Sequence, residues 1–112
     1  MSETYFNLGT DGKRYPDPVE PIYGEWGAKK LRELKKYIPE EYQKLVVAGE
    51  LNAYLNREEE QRQDMIEGIV RQLAQHDGVT EELKNRNPME WVGLMNNYRH
   101  TAEELLSDSR RD

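Results

Sequence analysis

The sequence predicts a mainly α-helical protein, a small helical bundle of four to five helices preceded by a short N-terminal β-hairpin. Apolar residues recur at helical spacing in several segments after residue 24, whereas two short aromatic runs near the N-terminus flank a Gly/Asp turn. The predicted organisation is a single domain over residues 1–112. A hairpin and an extended proline-rich segment occupy 1–23, the bundle occupies 24–106, and a flexible tail occupies 107–112.

The hairpin is predicted from "TYFN" at 4–7 and "KRY" at 13–15, which flank the turn "LGTDG". Glycine and aspartate favour tight turns because glycine accepts positive φ and aspartate can bond its own backbone. The following "PDPVEP" holds three prolines in six residues. We expect it to run extended across the surface, because proline restricts both itself and the residue before it.

The first two helices are predicted over 24–38 and 40–48. Helical spacing assigns the buried side of the first helix to Gly27, Leu31, Leu34 and Ile38, with Trp26 beside them. The buried edge of the second helix is Tyr42, Leu45 and Val46. Gly49 is expected to end the second helix, because glycine adopts the left-handed cap at little cost.

A long third helix is predicted over 50–77. Its apolar face holds Leu51, Leu55, Ile66, Ile69 and Leu73. Glu58 and Arg62 interrupt that face, and we expect them to form an exposed ion pair four residues apart. A buried polar notch is the alternative. The acidic run at 58–60 is expected to keep the helix soluble.

Two further helices are predicted, "EELKNR" at 81–86 after the N-cap Thr80, and a last helix at 88–106. Asn87, Pro88 and Glu90 form the clearest helix start in the chain. The apolar side of the last helix comprises Trp91, Met95, Tyr98, Ala102, Leu105 and Leu106, and Trp91 is expected in the core. The outward side comprises Gly93, Asn97, His100 and Glu104, with Asn96 at its border.

Composition excludes several classes of protein. Cysteine is absent, so disulfides, Cys-ligated zinc and a thiol nucleophile are excluded. The sequence has no apolar run near 18 residues, the length that a membrane helix needs. The N-terminus lacks a basic start followed by an apolar segment, so no signal peptide is expected. A cytoplasmic protein fits best.

Charge is distributed unevenly along the chain. The net charge is −6, but residues 28–37 hold five cations against one acid, a local charge of +4 that leaves −10 for the remainder. The cations are Lys29, Lys30, Arg32, Lys35 and Lys36. They form either a solvated helix face or a basic surface for phosphates. A helix-turn-helix over 28–49 is possible, although its second helix is poor in the residues that contact base edges.

No catalytic motif emerges from the sequence. There is no glycine-rich phosphate loop, and His76 and His100 are single histidines without a plausible serine partner. His100 with Glu103 and Glu104 resembles one half of a helical metal site, but the second half is missing. We therefore expect neither an enzyme, nor a metal, nor a cofactor.

Three blocks stand out in the second half of the chain, "GVTEELK" at 78–84, "MEWVGLMNN" at 89–97 and "AEE" at 102–104, and the second of them is specific. They resemble the TnpV family, small proteins encoded within bacterial transposons and related integrative elements. Upstream, "YGEWGAKKLRELKK" and "YQKLVVAGELNAYL" match the family's basic helix and glycine-marked hairpin, and "YFNLGTDGKRYPD" resembles its aromatic N-terminal segment. The resemblance covers nearly the whole chain. It departs at Pro88, where a polar non-proline residue is expected, and at Tyr98, where an aliphatic one is expected.

The resemblance implies a mobile-element origin, and the residue pattern together with that origin leaves three candidate functions. The first is a non-enzymatic accessory protein that binds another protein, from the element or its host, through Gly93, Asn96, Asn97 and His100. The second is a DNA-binding, excisionase-like accessory factor that uses the basic helix at 28–37. The third is an acidic inhibitor of a host nuclease or defence complex, comparable to anti-CRISPR proteins. No membrane partner is expected.

Overall fold

The computed structural model describes residues 3–108 and confirms the predicted fold class. A two-stranded antiparallel hairpin is followed by five helices within this range. Along the chain the elements are β1 (Tyr5–Leu8), β2 (Arg14–Asp17), α1 (Glu25–Tyr37), α2 (Pro39–Ala48), α3 (Leu51–His76), α4 (Glu81–Arg86) and α5 (Pro88–Asp108). No helix of the described range is both long and apolar enough to cross a membrane.

The chain divides into two compact units, the first ending at Arg62 and the second beginning at Gln63. The core of the first unit consists of Leu34, Tyr42, Val46, Leu51 and Leu55. The core of the second consists of Ile66, Val70, Ala74, Tyr98 and Ala102. The single-domain organisation of residues 1–112 stays a prediction. Of the predicted tail, residues 107 and 108 continue α5, and 109–112 lie outside the described residues.

The hairpin pairs Tyr5 with Asp17 and Leu8 with Arg14. Gly12, at φ 80°, provides the left-handed backbone that the turn requires. The second strand includes Pro16 and Asp17, and the chain then bends at Pro18 and Val19, so the prediction of an extended course is wrong for these residues. A strand at the edge of a sheet tolerates proline where its N–H would point to solvent, because proline has no N–H and no hydrogen bond is lost there.

A buried carboxylate joins the end of β2 to the start of α3. Asp17 is fully buried. Its Oδ2 accepts hydrogen bonds from the Asn52 backbone N at 3.0 Å and from Asn7 Nδ2 at 3.2 Å, and its Oδ1 accepts one from Val19 N at 3.0 Å. Asn52 is itself buried and donates from Nδ2 to Val19 O at 2.8 Å. Asp17 therefore satisfies a free N–H of the first turn of α3.

Two more α3 side chains hold the segment that precedes α1. Asn56 accepts from the backbone N of Ile22 at 2.9 Å and donates to Glu20 O at 2.8 Å. Glu59 Oε1 accepts from the backbone N of Gly24 at 2.8 Å and of Gly27 at 2.9 Å. Its carboxylate thus caps the positive N-terminal end of α1. Glu59 has a specific structural role that the solubility prediction for 58–60 did not include.

The prediction of an exposed Glu58–Arg62 pair is wrong for Arg62. Arg62 is only 9% exposed, and its guanidinium carbon lies 4.1 Å from the centroid of the Trp26 ring. A guanidinium can stack on an indole because it is planar and weakly hydrated. Arg62 therefore packs inside the first unit instead of extending into solvent.

The predicted helix boundaries agree with the structure. Gly49 has φ 69° at the end of α2. Asn87 Oδ1 accepts from Glu90 N at 3.3 Å, so Asn87 caps the start of α5 as predicted. Glu90 Oε2 accepts from Asn87 Nδ2 at 3.1 Å and not from the Asn87 backbone N, which donates to Leu83 O. Thr80 occupies the N-cap of α4, as predicted, but its side chain makes no capping hydrogen bond.

Three apolar residues assigned to buried faces are more exposed than predicted. Ile38 and Leu105 are each 51% exposed. Trp91 is half-buried, so the residues of α5 that enter the core are Tyr98 and Ala102. Ile38 lies just beyond the end of α1, where helical spacing continues but the helix does not. Leu105 lies beside the apolar side of α5, on which Leu106 packs against the second core.

Candidate interaction surfaces

The four residues of the predicted protein-binding strip are all exposed on α5. Two apolar neighbours accompany them, Met89 at 85% and Val92 at 48% exposed. Positions three and four apart share one side of a helix. The outer face of α5 is hereafter the set Met89, Val92, Gly93, Asn96, Asn97 and His100.

Gly93 has no structural reason within its own chain to be glycine. Its φ is not positive, so the backbone does not require the absence of a Cβ. Among the described residues other than its two chain neighbours, no side chain and no backbone atom outside the same stretch of helix lies within 4 Å of a Cβ added at Gly93. By contrast, a Cβ on Gly27 would overlap the side chain of Tyr23. Gly27 is thus required by packing, and Gly93 is not.

Ion pairs occupy the C-terminal half of the exposed side of α5. His100 Nε2 lies 2.9 Å from Glu104 Oε1, and Arg99 Nε lies 3.8 Å from Glu103 Oε1. The Arg99 guanidinium also donates to Gln63 Oε1. No group of three or more His, Asp or Glu side chains suited to a metal ion is present in residues 3–108. This half of the exposed side of α5 therefore carries paired charges, whereas Gly93, Asn96 and Asn97 are uncharged.

Tyr98 anchors α5 from its buried side. It is 8% exposed, and its hydroxyl donates to Asp77 Oδ2 at 2.8 Å. Asp77 Oδ1 also lies 3.0 Å from His76 Nδ1. The hydrogen bonds with His76 and then Tyr98 lower the pKa of Asp77, and the bond to Asp77 raises the pKa of Tyr98. Tyr98 thus fixes the helix while the outer face stays free of the core.

The basic residues of α1 form the second candidate surface. Lys29, Arg32, Lys35 and Lys36 are exposed, and Lys30 is half-buried. Lys29, Arg32 and Lys36 are spaced by three and four residues, which places them along one side of the helix. The structure therefore brings at least three of the five predicted cations into one line.

The lysines of α1 also contact aromatic rings. The Nζ atoms of Lys29 and Lys30 lie 5.4 and 4.9 Å from the centroid of the Trp26 ring. Lys36 Nζ lies 5.1 Å from the centroid of Tyr37. These contacts restrict the ammonium groups without neutralising them, because the ring contributes a quadrupole and no net charge.

A cleft lies beside the basic residues of α1 and was not predicted. Its volume is about 230 Å³. It is lined by Lys30, Glu33, Leu34, Tyr37, Ile38 and Tyr54, and is hereafter the α1 cleft. Lys30 Nζ and Glu33 Oε1 are 3.7 Å apart within this lining. The only sequence signal was the Tyr37–Ile38 pair, but Ile38 was assigned to the buried side.

Comparison with known proteins supports the family resemblance. The family model described as transposon-encoded protein TnpV matches residues 15–109. No curated protein and no solved structure matches the chain. The matched range includes both candidate surfaces.

Proposed function

We propose, from the premise that the chain belongs to the TnpV family of transposon-encoded proteins, that it is a non-enzymatic accessory protein of a mobile genetic element. It binds another protein, from the element or from the host cell, through the outer face of α5. The family membership supports the mobile-element origin, and the surface chemistry of α5 supports the binding role. Neither depends on a catalytic group.

The observation that carries this proposal is an exposed glycine inside a helix, at the sixth of the 21 residues of α5. Glycine in a helix interior costs about 1 kcal/mol relative to alanine. Gly93 receives no compensation from its own fold, because the space over it is open. A partner that packs directly against the backbone at Gly93 would offset this cost, because only glycine lets another molecule approach the helix backbone so closely.

The neighbours of Gly93 suit a protein partner. Met89 and Val92 offer apolar surface that is largely uncovered in this chain. Asn96 and Asn97 each carry both a donor and an acceptor, so they can pair with backbone or amide groups across an interface. Apolar contact and neutral hydrogen bonds are typical of the centre of protein interfaces, from which charged residues are depleted.

Gly93→Ala tests the proposal because stability and binding should change in opposite directions. The free energy of unfolding should rise by up to about 1 kcal/mol, since alanine is the better helix former. Partner capture should fall, because the added methyl blocks close approach. Denaturation in urea measures the first effect. Affinity capture from cells that carry the element, quantified by mass spectrometry, measures the second.

Gly68→Ala is the matched control. Gly68 also lies inside a helix, and a Cβ there would contact only the Arg71 guanidinium, at 3.9 Å. It should show a similar stability gain with unchanged capture. Gly27→Ala should instead destabilise the chain, because the methyl overlaps Tyr23. Equal capture by the Gly93→Ala and unmodified chains would reject the α5 interface and leave a tolerated solvent face.

DNA binding through α1 is the second candidate, favoured by the alignment of Lys29, Arg32 and Lys36 on exposed turns. If these cations meet phosphates, the affinity for duplex DNA should fall steeply with salt. Replacement of Lys29, Lys30, Lys35 and Lys36 by glutamine should then abolish binding and preserve the helical circular dichroism. Unchanged affinity, or no binding at low salt by the unmodified chain, would eliminate this candidate.

Inhibition of a host nuclease by mimicry of nucleic acid is the third candidate. It rests on the net charge of −6 and the mobile-element origin, without a specific surface to support it. It therefore stays a prediction.

A further inference from the structure

We propose that the α1 cleft binds an acidic amphipathic segment of a partner protein, a second protein-binding surface independent of the outer face of α5. The segment places an apolar side chain in the cleft and its carboxylates on the surrounding lysines. The cleft contains exposed apolar side chains, Tyr37 and Ile38, and lies beside the basic residues of α1.

The apolar part of the cleft is incompletely covered by the protein itself. Tyr37 is 68% and Ile38 is 51% exposed, whereas Leu34 behind them is buried. An inserted apolar side chain would remove this surface from water, and the burial of apolar area is favourable. A phosphate backbone gains nothing from such contacts, so the apolar surface favours a peptide over a nucleic acid.

The charge of α1 favours an acidic segment. Residues 28–37 carry +4. Burial, and then the nearby carboxylates of Glu58 and Glu41, raise the pKa of Tyr54 in the cleft lining, so the excess of positive charge belongs to α1 and not to the whole lining. Charges separated by more than about 10 Å are largely screened at 0.1 M salt. A short acidic helix placed on α1 therefore interacts mainly with the lysines.

Glu33 determines how the charges and the apolar group must be arranged. It is the one acid of residues 28–37 and it lines the cleft, where Lys30 lies 3.7 Å away. A carboxylate inserted into the cleft would meet Glu33, so the inserted group is apolar. Lys29 and Lys36 are exposed outside the lining and remain available to carboxylates of the segment. Their contacts with Trp26 and Tyr37 limit the entropy lost on binding.

The test uses the full chain, labelled with ¹⁵N and titrated with a designed helix of about 16 residues, in which leucines at i, i+3, i+4 and i+7 face one side and glutamates the other. Saturable amide shifts are expected at Lys30–Ile38 and Tyr54. The same peptide with its sequence shuffled, so that the leucines no longer share a side, should bind much more weakly. A short duplex DNA serves as the competing class of ligand.

Two variants test the separate components. Tyr37→Ser should lower the affinity for the designed peptide by about tenfold. Val47→Ser changes another apolar residue, which is 52% exposed, and should leave that affinity unchanged. Lys36→Gln should weaken it by about threefold, and Arg86→Gln on α4 should not. Both Tyr37 and Lys36 are exposed, so the circular dichroism should persist in each variant.

Three results would overturn this proposal: equal binding of the ordered and shuffled peptides, shifts at these residues with DNA but not with the peptide, or no shift with the ordered peptide at low salt. Gly93→Ala should leave peptide binding unchanged. Failure here and failure of the α5 interface are therefore separate results.

Discussion

Asp17→Ala is expected to lower the free energy of unfolding of the first unit by about 3–5 kcal/mol. The carboxylate is fully buried and accepts three hydrogen bonds, from Asn7, Val19 and Asn52. Alanine would leave all three donors without this acceptor at a site that water does not reach. Urea denaturation followed by circular dichroism measures the loss.

Two controls separate the lost hydrogen bonds from other effects of this change. Asp17→Asn retains one acceptor oxygen and nearly the same volume, so its cost should be intermediate. Glu20→Ala removes an exposed acidic side chain three residues further along and should have little effect. If Asp17→Ala proved as stable as Glu20→Ala, the junction between β2 and α3 would not depend on this carboxylate.

Leu55→Ala is expected to cost about 2–5 kcal/mol, the range for buried leucine truncations that leave a cavity. Leu55 is completely buried in the core of the first unit. Among the described residues that core has five buried apolar members, so a single cavity removes a large share of its packing. Thermal or urea denaturation of the variant gives the value.

Leu105→Ala provides the matched comparison for Leu55→Ala. It makes the same chemical change at a position that is 51% exposed on α5. Its cost should stay below about 1 kcal/mol, because surface substitutions have small effects. A large loss at Leu105 would restore the original assignment of this residue to the buried side and contradict the exposure seen in the structure.

The helices were predictable because their signals are local. Gly49 ends α2 through its own backbone angle, and the cap at α5 involves Asn87 and Glu90, three residues apart. The exposure of Gly93, Asn96, Asn97 and His100 follows from the same helical periodicity, applied to a helix whose apolar side is continuous. In each case the physical cause lies within a few turns of the residue concerned.

The polar residues that hold the first unit together were not predictable in this way. Asn52, Asn56 and Glu59 bond groups that precede them by 32–36 residues. Nothing in the local pattern of α3 distinguishes Glu59 from an ordinary solvated acid. The burial of Arg62 depends on the position of the Trp26 ring, which only the folded chain provides.

The α1 cleft could not be predicted from local sequence patterns either. Its lining combines residues of α1 with Ile38, just after that helix, and with Tyr54, on α3. Helical spacing assigned Ile38 to the core because it continues the pattern of Leu31 and Leu34. The structure instead leaves Ile38 half-exposed, since the chain turns into α2 at that residue.

The long-range capping of α1 has a consequence for the order in which the chain folds during synthesis. The N-terminus of α1 is bonded to Glu59, and the strand end at Asp17 is bonded to Asn52. A ribosome adds residues one at a time, so the hairpin and α1 emerge before these partners exist. Contacts between distant residues form only after the intervening loop has closed. The first unit therefore cannot complete its fold until residue 59 has left the exit tunnel, and a nascent chain halted before that point should remain open to proteolysis.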